Sequence, residues 1–292
     1  MYNLNMDHLL SVEPVDYLVI GHLSSDITPD GFRLGGTAAY SALTARALGM
    51  RTGVVTACAG DLPLDQLHGI IVHSIPAGRS TTFENVYKAS EPHNQLRTQY
   101  LHKLAPRIKM DDIPNNWKKS PIIHLGPIAQ ELDPTLPGDF SPTLLALTPQ
   151  GWMRSWDEKG LVTPCRWVEA ETALPAAGAA VISLEDVDGD EDEVERLSLA
   201  SRVLAVTEGP AGARIYWHND LRRFRAPVKN EVDATGAGDI FATAFFIRLF
   251  VTRDPWEAAR FATRLAAFSV TRTGLDGIPI PKEIKSSMVE VF

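Results

Sequence analysis

Short, nearly unbroken apolar runs recur along the chain, at residues 15–21, 52–57, 121–125, 144–147, 179–184 and 203–207. Each has the length of a strand rather than of a helix, and none alternates cleanly with polar residues as a half-exposed strand does. A strand without a polar face must be covered on both sides, which is the situation of a parallel sheet between helices. The first run is followed by Gly35-Gly36-Thr37, a helical stretch at 38–48 with Gly49 just past its end, and then the strand at 52–57. Strand, helix and strand in that order close as a right-handed parallel crossover. The expected fold is therefore α/β, with a mostly parallel central sheet.

The pattern changes between 81 and 103. Thr81-Thr82-Phe83-Glu84-Asn85-Val86-Tyr87 and Arg97-Thr98-Gln99-Tyr100-Leu101 each read as half-exposed strands, with Glu91-Pro92-His93-Asn94 between them. This predicts a small hairpin lid on the main sheet. A second hairpin is predicted over 213–226, turning at Asn219-Asp220, and helices over 236–250, 255–271 and 281–291. No repeat or low-complexity linker interrupts the chain, so residues 1–292 read as one domain with a lid contributed mainly by 81–103.

Charge narrows the partners. A formal net charge of −8 disfavours nucleic acid, whose phosphates recruit basic surfaces. Cys58 and Cys165 stand far apart, and no His or Cys cluster has zinc spacing, so neither a disulfide framework nor a zinc site is expected. Residues 1–14 lack the order of a secretory signal, and no apolar run approaches the ~20 residues a membrane helix needs. The expectation is a soluble, cytoplasmic protein acting on a small molecule, without membrane or nucleic-acid partners, as a monomer or weak homodimer. The acidic run at 185–195 fails as an EF-hand. Counted from Asp186, the positions that need Gly and Glu hold Glu191 and Leu197. It reads instead as a solvated helix start.

The segment that carries chemistry is Asp233-Ala234-Thr235-Gly236-Ala237-Gly238-Asp239, leading into the apolar helix Ile240-Phe241-Ala242-Thr243. Glycines at a helix start leave backbone N–H groups open, and the helix dipole makes the place an anion site. A carboxylate in that turn repels a bound phosphate. Asp239 is thus poorly placed for binding alone and well placed to deprotonate a hydroxyl beside a phosphate.

The segment resembles the DTxGAGD signature of ribokinase/PfkB carbohydrate kinases, with Ala234 where Thr is common. The resemblance implies a ribokinase-like three-layer sandwich with a small β lid. It makes Asp239 the catalytic base and the amides of Gly236, Ala237 and Gly238 the anion hole. Gly35-Gly36-Thr37 resembles the family's N-terminal di-glycine motif at the sugar site, and Asp26 its substrate-binding aspartate. Val206-Thr207-Glu208-Gly209-Pro210-Ala211-Gly212 resembles its T-x-G-x-x-G nucleotide segment, so Thr207, Gly209 and Gly212, with Thr235 and Gly238, are expected on ATP. Residues 262–271 with Gly274 resemble the helix and loop around adenine. The family's N-x-x-E becomes Ser183-Leu184-Glu185-Asp186, which implies Ser183 on the nucleotide side and Asp186 on a water of Mg²⁺. The resemblance extends to a monovalent cation such as K⁺ at Asp233, with carbonyls near Thr235 and 270–274.

The branch it resembles most is myo-inositol kinase, on residues 21–26, 81–84 and the Gln150…Arg154 pair. Candidate acceptor contacts are Asp26, Gly35, Gly36, Thr37, Glu84, Arg97 and Gln150, with Asn85, His93 and Gln99 also on the lid. The expected reaction is transfer of the ATP γ-phosphate to a hydroxyl of a sugar or cyclitol, best matched by myo-inositol. Ribose, fructose-type sugars and nucleosides are the alternatives, and a non-enzymatic ligand sensor on the same fold is the rival from another class.

Overall fold

The computed structural model describes residues 13–29, 31–87 and 97–288. In chain order it opens with β1 (Tyr17–Ile20), β2 (Ser24–Thr28), β3 (Gly31–Gly35), α1 (Thr37–Ala47), β4 (Thr52–Cys58), β5 (Ile71–Pro76), β6 (Thr81–Tyr87) and β7 (Arg97–Lys103). The middle holds β8 (Ile122–Leu125), β9 (Leu144–Leu147), β10 (Arg154–Trp156), β11 (Val162–Pro164), the short α2 (Ala170–Ala173), β12 (Ala179–Ser183) and α3 (Glu191–Ala200). It closes with β13 (Val203–Thr207), β14 (Ala213–Trp217), β15 (Asp220–Phe224), α4 (Ala237–Thr252), α5 (Pro255–Ser269) and α6 (Pro281–Ser287).

The main sheet runs β15-β14-β13-β12-β9-β8-β1-β4-β5. Every pairing from β13 through β5 is parallel, and β14 and β15 add an antiparallel edge. Alternation along β1 shows why its residues are all apolar. Tyr17 and Val19 pack on one face among α1, α4 and α5, while Leu18 and Ile20 pack on the other with Trp167 and Val194. Both faces are core, so neither can be polar. The result is the mostly parallel α/β sheet the apolar runs predict, covered on both faces as the family resemblance implies.

A second sheet, ordered β3-β2-β6-β7, stands apart from the first. Residues 81–103 supply β6 and β7, as the alternation predicts. β2 and β3 were not foreseen as strands: they pair antiparallel, and β2 pairs in parallel with β6. The polar string Ser24-Ser25-Asp26 hides this strand, because its residues are ordered by the site and not by a core. The expected turn residues 91–94 lie outside the described residues, as does the expected extension of the last helix beyond 288.

Other differences are local. β5 has His73 and Ser74 within it and is only half-buried, so it gives no continuous apolar signal. The second hairpin turns one residue earlier than expected, at His218 and Asn219, both with positive φ (49° and 59°), as a tight hairpin turn demands. The acidic run becomes the N-cap and first turn of α3, where the Asp190 carboxylate accepts from the amides of Asp192 and Glu193. Both cysteines are free. Among the described residues no helix is long and apolar enough to cross a membrane.

Candidate active site

Adjacent parallel strands deliver the candidate residues to one edge of the sheet. β1 leads to Asp26 and the two glycines, β9 to Gln150 and Arg154, β12 to Ser183 and Asp186, and β13 to Thr207. Carboxyl ends of parallel strands are where open α/β sheets bind ligands, because loops and helix N-termini converge there.

Asp239 sits in the first turn of α4, with Gly236 as N-cap at φ +79°. Its carboxyl is half-buried, yet packed closely enough by protein that desolvation dominates its acidity. Burial pushes it up to about 6, against the pull of the Thr37 hydroxyl and the Arg154 cation, while Asp186 and Asp26 add to the rise. Asp26, Thr37, Arg154, Asp186 and Asp239 are therefore all within electrostatic reach of one point. No stretch of sequence holds them together; the fold does.

The loop before α4 is laced to the loop after α5. Asp233 accepts from the Thr235 amide at 2.9 Å and from the Gly274 amide at 2.9 Å. The Val270 carbonyl accepts from the amides of Val232 and Asp233 at 2.7 and 3.1 Å. Amide hydrogens thus already use both Asp233 oxygens and the Val270 carbonyl. Each carboxylate oxygen keeps a further lone pair, so this bonding leaves the expected monovalent cation at Asp233 untouched, and no step below is routed through such an ion. Within the expected anion hole the Ala237 amide turns back to the Ala234 carbonyl at 3.1 Å. The Gly238 amide lies in the first turn, where a helix offers no acceptor of its own.

Tyr40, on α1, is a site residue the sequence reading did not find. Its ring lies directly under Gly236: a Cβ there would stand 2.2 Å from Cδ1 and Cε1 of the tyrosine. Burial raises its phenol well above the ordinary range, with Asp26, Asp233 and Asp239 adding to the rise. Tyr40 is therefore a neutral floor that joins the acceptor side to the Gly-Ala-Gly turn. An aromatic on a helix has no sequence signal that separates this role from ordinary core packing.

On the acceptor side, Ser24 donates to Asp26 at 2.7 Å. A Cβ on Gly35 would fall 2.1 Å from Oδ2 of Asp26, and one on Gly36 would fall 2.7 Å from the His22 carbonyl, at a φ of +85°. Both glycines are there to let the carboxylate and the helix start approach each other. The neighbouring loop is held by Glu131, fully buried, whose carboxylate accepts from the amides of His22, Ile128 and Ala129. Nothing in the local sequence marks it.

The second sheet presents one face to this cleft. Asp26 pairs beside Phe83, and Arg154 lies over the Phe83 ring at 5.8 Å while donating to the Ile128 carbonyl at 3.2 Å. Asn85 and Gln99 share the face of Phe83 and bond each other at 2.9 Å. Glu84 alternates to the opposite face, where it pairs with His102 at 2.7 Å. It was expected on the acceptor, but strand alternation turns it away from Phe83 and Arg154. Arg97 opens β7, though its side chain lies outside the described residues, and His93 lies outside them altogether.

Gln150, expected on the acceptor, donates to Oδ1 of Asp186 at 2.8 Å. Oδ2 of Asp186 takes the Ser183 amide at 2.8 Å, and the Ser183 hydroxyl in turn accepts from the Glu185 amide. Gln150, Ser183 and Asp186 thus form one capping unit beside Asp239. Among the described residues no group of three or more His, Cys, Asp or Glu is set to hold a metal. Mg²⁺ that stays on phosphate and water needs no such cage.

The Thr207 hydroxyl donates to the Ile182 carbonyl at 3.3 Å. Gly209 and Gly212 both have positive φ, and a Cβ on Gly212 would fall 2.0 Å from the Phe224 carbonyl. The Thr207–Gly212 turn therefore packs straight onto β15.

Comparison with known proteins agrees with the fold. Residues 170–283 match the family model described as pfkB family carbohydrate kinase. A ribokinase of Bacillus subtilis (strain 168) is 36% identical over 92 residues, a stretch that spans 31% of this chain and 31% of that protein. Among solved structures, a sulfate complex of a pyrophosphate-dependent kinase in the ribokinase family superposes with a TM-score of 0.75, at 20% identity over 93% of this chain and 100% of that one. A pyrophosphate-dependent kinase in the ribokinase family, complexed with a pyrophosphate analogue and myo-inositol, superposes with a TM-score of 0.73, at 19% identity over 93% and 100%.

Proposed function

We propose that this chain, which carries a PfkB family carbohydrate kinase domain on a ribokinase-like fold, transfers a phosphoryl group from a phosphate-chain donor to a hydroxyl of a sugar or cyclitol. The observation that carries the reading is Asp239: a carboxyl held in the first turn of a glycine-started helix, with its pKa raised to about 6. Pure anion binding has no use for a carboxylate there, whereas a base needs a pKa near the working pH.

In the proposed reaction the acceptor hydroxyl lies between Asp26 and Asp239. Asp239 takes its proton as the oxygen attacks the terminal phosphorus in line. The first-turn amides and the dipole of α4, with Arg154, stabilise the equatorial oxygens as charge gathers on them. Mg²⁺, where it accompanies the donor, neutralises the phosphate chain. The second sheet, with Phe83, Asn85 and Gln99 facing the cleft, covers the acceptor and keeps water from the donor. On the sequence reading the donor is ATP. The two structural neighbours described above are pyrophosphate-dependent, so a donor without a base is the second reading.

Asp26→Ala is expected to weaken acceptor binding by ~1.5–3 kcal/mol per hydroxyl held, the worth of a charge-assisted hydrogen bond, and to leave donor binding nearly unchanged. Calorimetry with each ligand separately checks this. Equal losses for both would assign Asp26 a structural role.

The acceptor we favour is myo-inositol. The cleft face combines one carboxylate, two close-approaching glycines and the Asn85–Gln99 amide pair, which suits a rigid ring with a hydroxyl on every carbon. An analogue lacking a contacted hydroxyl leaves a buried polar group unpaired, at ~1–3 kcal/mol. The test is kcat/KM for myo-inositol against ribose, fructose and adenosine at saturating donor, with myo-inositol expected to lead. A clear win for any of the other three removes the inositol assignment and keeps the kinase.

A further inference from the structure

Among the described residues the chain crosses four times between the main sheet and the second sheet, and all four crossings meet at His22. β1 passes to β2 through Gly21, His22 and Leu23, and β3 returns to α1 through Gly36. β5 passes to β6 just before Thr81, and β7 leaves through Leu104, Ala105 and Pro106. His22 and Thr81 are both fully buried. The His22 ring touches the last two crossings at once, with Nδ1 2.7 Å from the Thr81 hydroxyl and Nε2 2.9 Å from the Pro106 carbonyl. Its backbone carbonyl lies against Gly36, as the close approach of a Cβ there shows.

The bonding around this ring runs in one direction. A carbonyl only accepts, so Nε2 donates to Pro106, and in the neutral ring Nδ1 then accepts from the Thr81 hydroxyl. The Thr81 oxygen in turn accepts from the Ala105 amide at 3.1 Å. The mounting of the ring is fixed as well. The His22 amide donates to the buried Glu131 carboxylate at 2.9 Å, and the Leu23 amide donates to the Thr56 hydroxyl of β4 at 2.9 Å. One side chain anchored to the core thus holds both feet of the β6–β7 hairpin. Packing alone has no need of this, since an apolar residue fills space without burying polar atoms that must all be paired.

The feet stand directly beneath the cleft face. Thr81, Phe83 and Asn85 alternate onto one side of β6, and Ser24 and Asp26 pair beside Thr81 and Phe83. At ~3.4 Å per residue Asn85 stands ~14 Å beyond Thr81, so a tilt of about 5° at the foot moves it by about 1 Å. A shift of that size is enough to spoil the fit of a cover over its substrate.

We propose that His22 and Thr81 form the pin of the lid: they are positioning residues that fix β6 and β7 over the acceptor and so decide whether the phosphoryl group goes to the acceptor or to water. As a statement about the reaction this rests on the kinase reading above. With the pin loosened, water reaches the terminal phosphorus in place of the acceptor hydroxyl. The bridging P–O bond breaks, the water oxygen forms the new P–O bond, its proton goes to Asp239, and free phosphate leaves.

Three variants test the pin. Thr81→Val removes the hydroxyl at nearly constant volume, and Thr81→Ser keeps it. His22→Gln keeps a donor toward Pro106 and loses the acceptor for Thr81. Two quantities are measured: hydrogen exchange of the β6 and β7 amides against those of β8 and β9, and the ratio of donor consumed to phosphomonoester formed, with ATP or pyrophosphate and myo-inositol. That ratio does not depend on how much of the protein is folded, so poor folding alone leaves it unmoved. Thr81→Val and His22→Gln are expected to speed exchange in β6 and β7 by about 10- to 100-fold with β8 and β9 unchanged, and to raise the ratio by about tenfold. Thr81→Ser is expected to match wild type in both. Equal acceleration in β8 and β9, unchanged exchange in β6 and β7, or a wild-type ratio despite faster exchange there overturns the proposal. Acceleration confined to β6 and β7, with no acceptor phosphorylated even by wild type, would uphold the pin and remove the kinase reading.

Discussion

Asp239→Asn should lower turnover by about 10²–10⁴, the usual worth of a general base, with donor and acceptor affinities close to wild type. The same substitution should make the protein more stable at neutral pH. Burial holds the Asp239 pKa at about 6 in the fold, against an ordinary 3.8. Between those values the folded chain keeps a proton that the unfolded chain releases. Stability therefore falls as pH rises from about 4 through 6, and above that the full penalty stands, on the order of 3 kcal/mol at most. Asparagine never ionises and escapes it. Denaturant melts at pH 8 and pH 4 check the sign: the variant should gain at pH 8 and show no gain at pH 4. In the wild-type enzyme kcat/KM should climb with pH through about 6 and then level, since only the ionised carboxyl accepts the proton. A variant that keeps half or more of wild-type turnover, or loses stability equally at both pH values, would deny Asp239 this role.

Gly236→Ala should be nearly as damaging, through geometry alone. The position has φ +79°, which costs an L-residue roughly 1–2 kcal/mol. The new Cβ would also stand 2.2 Å from the ring of Tyr40, which is itself buried. Either the turn or the ring must move, and with it the start of α4 that aims Asp239. Turnover should fall by about a hundredfold or more, since misplacement on the ångström scale has effects of that size. Gly238→Ala is the control. A Cβ there meets no protein atom within 4 Å and the φ is ordinary, so the fold should be unharmed. The open space it fills faces the position proposed for donor phosphate, so donor affinity should drop while the melting temperature holds. If Gly238→Ala destabilises as much as Gly236→Ala, the turn is a packing element and not an anion site.

These residues also show what was legible in the chain. The parallel sheet could be read from runs such as Leu144–Leu147 because strands buried on both faces leave no polar alternation. The start of α4 was legible because few residue types allow the positive φ of Gly236. β2 was not, since a strand carrying Ser24, Ser25 and Asp26 is ordered by its neighbours β3 and β6 and by Gly35 crossing close to the carboxylate. Glu84 was misplaced for a related reason. Alternation gives two faces, and only the position of Arg154, far away in sequence, tells which face is the cleft. Gln150 and Asp186 were each read singly, as acceptor and metal residues, while their mutual hydrogen bond depends on β9 and β12 being neighbours.

Central to the account is that a hydroxyl gains a phosphoryl group here and that Asp239 takes its proton. Phosphorus NMR of wild type and Asp239→Asn, each incubated at pH 8 with Mg²⁺, myo-inositol and either ATP or tripolyphosphate, reads this directly. The account predicts a new phosphomonoester signal with wild type and almost none with the variant over the same interval. A phosphomonoester formed equally by both proteins, or only free phosphate released by wild type with every acceptor tried, would contradict it.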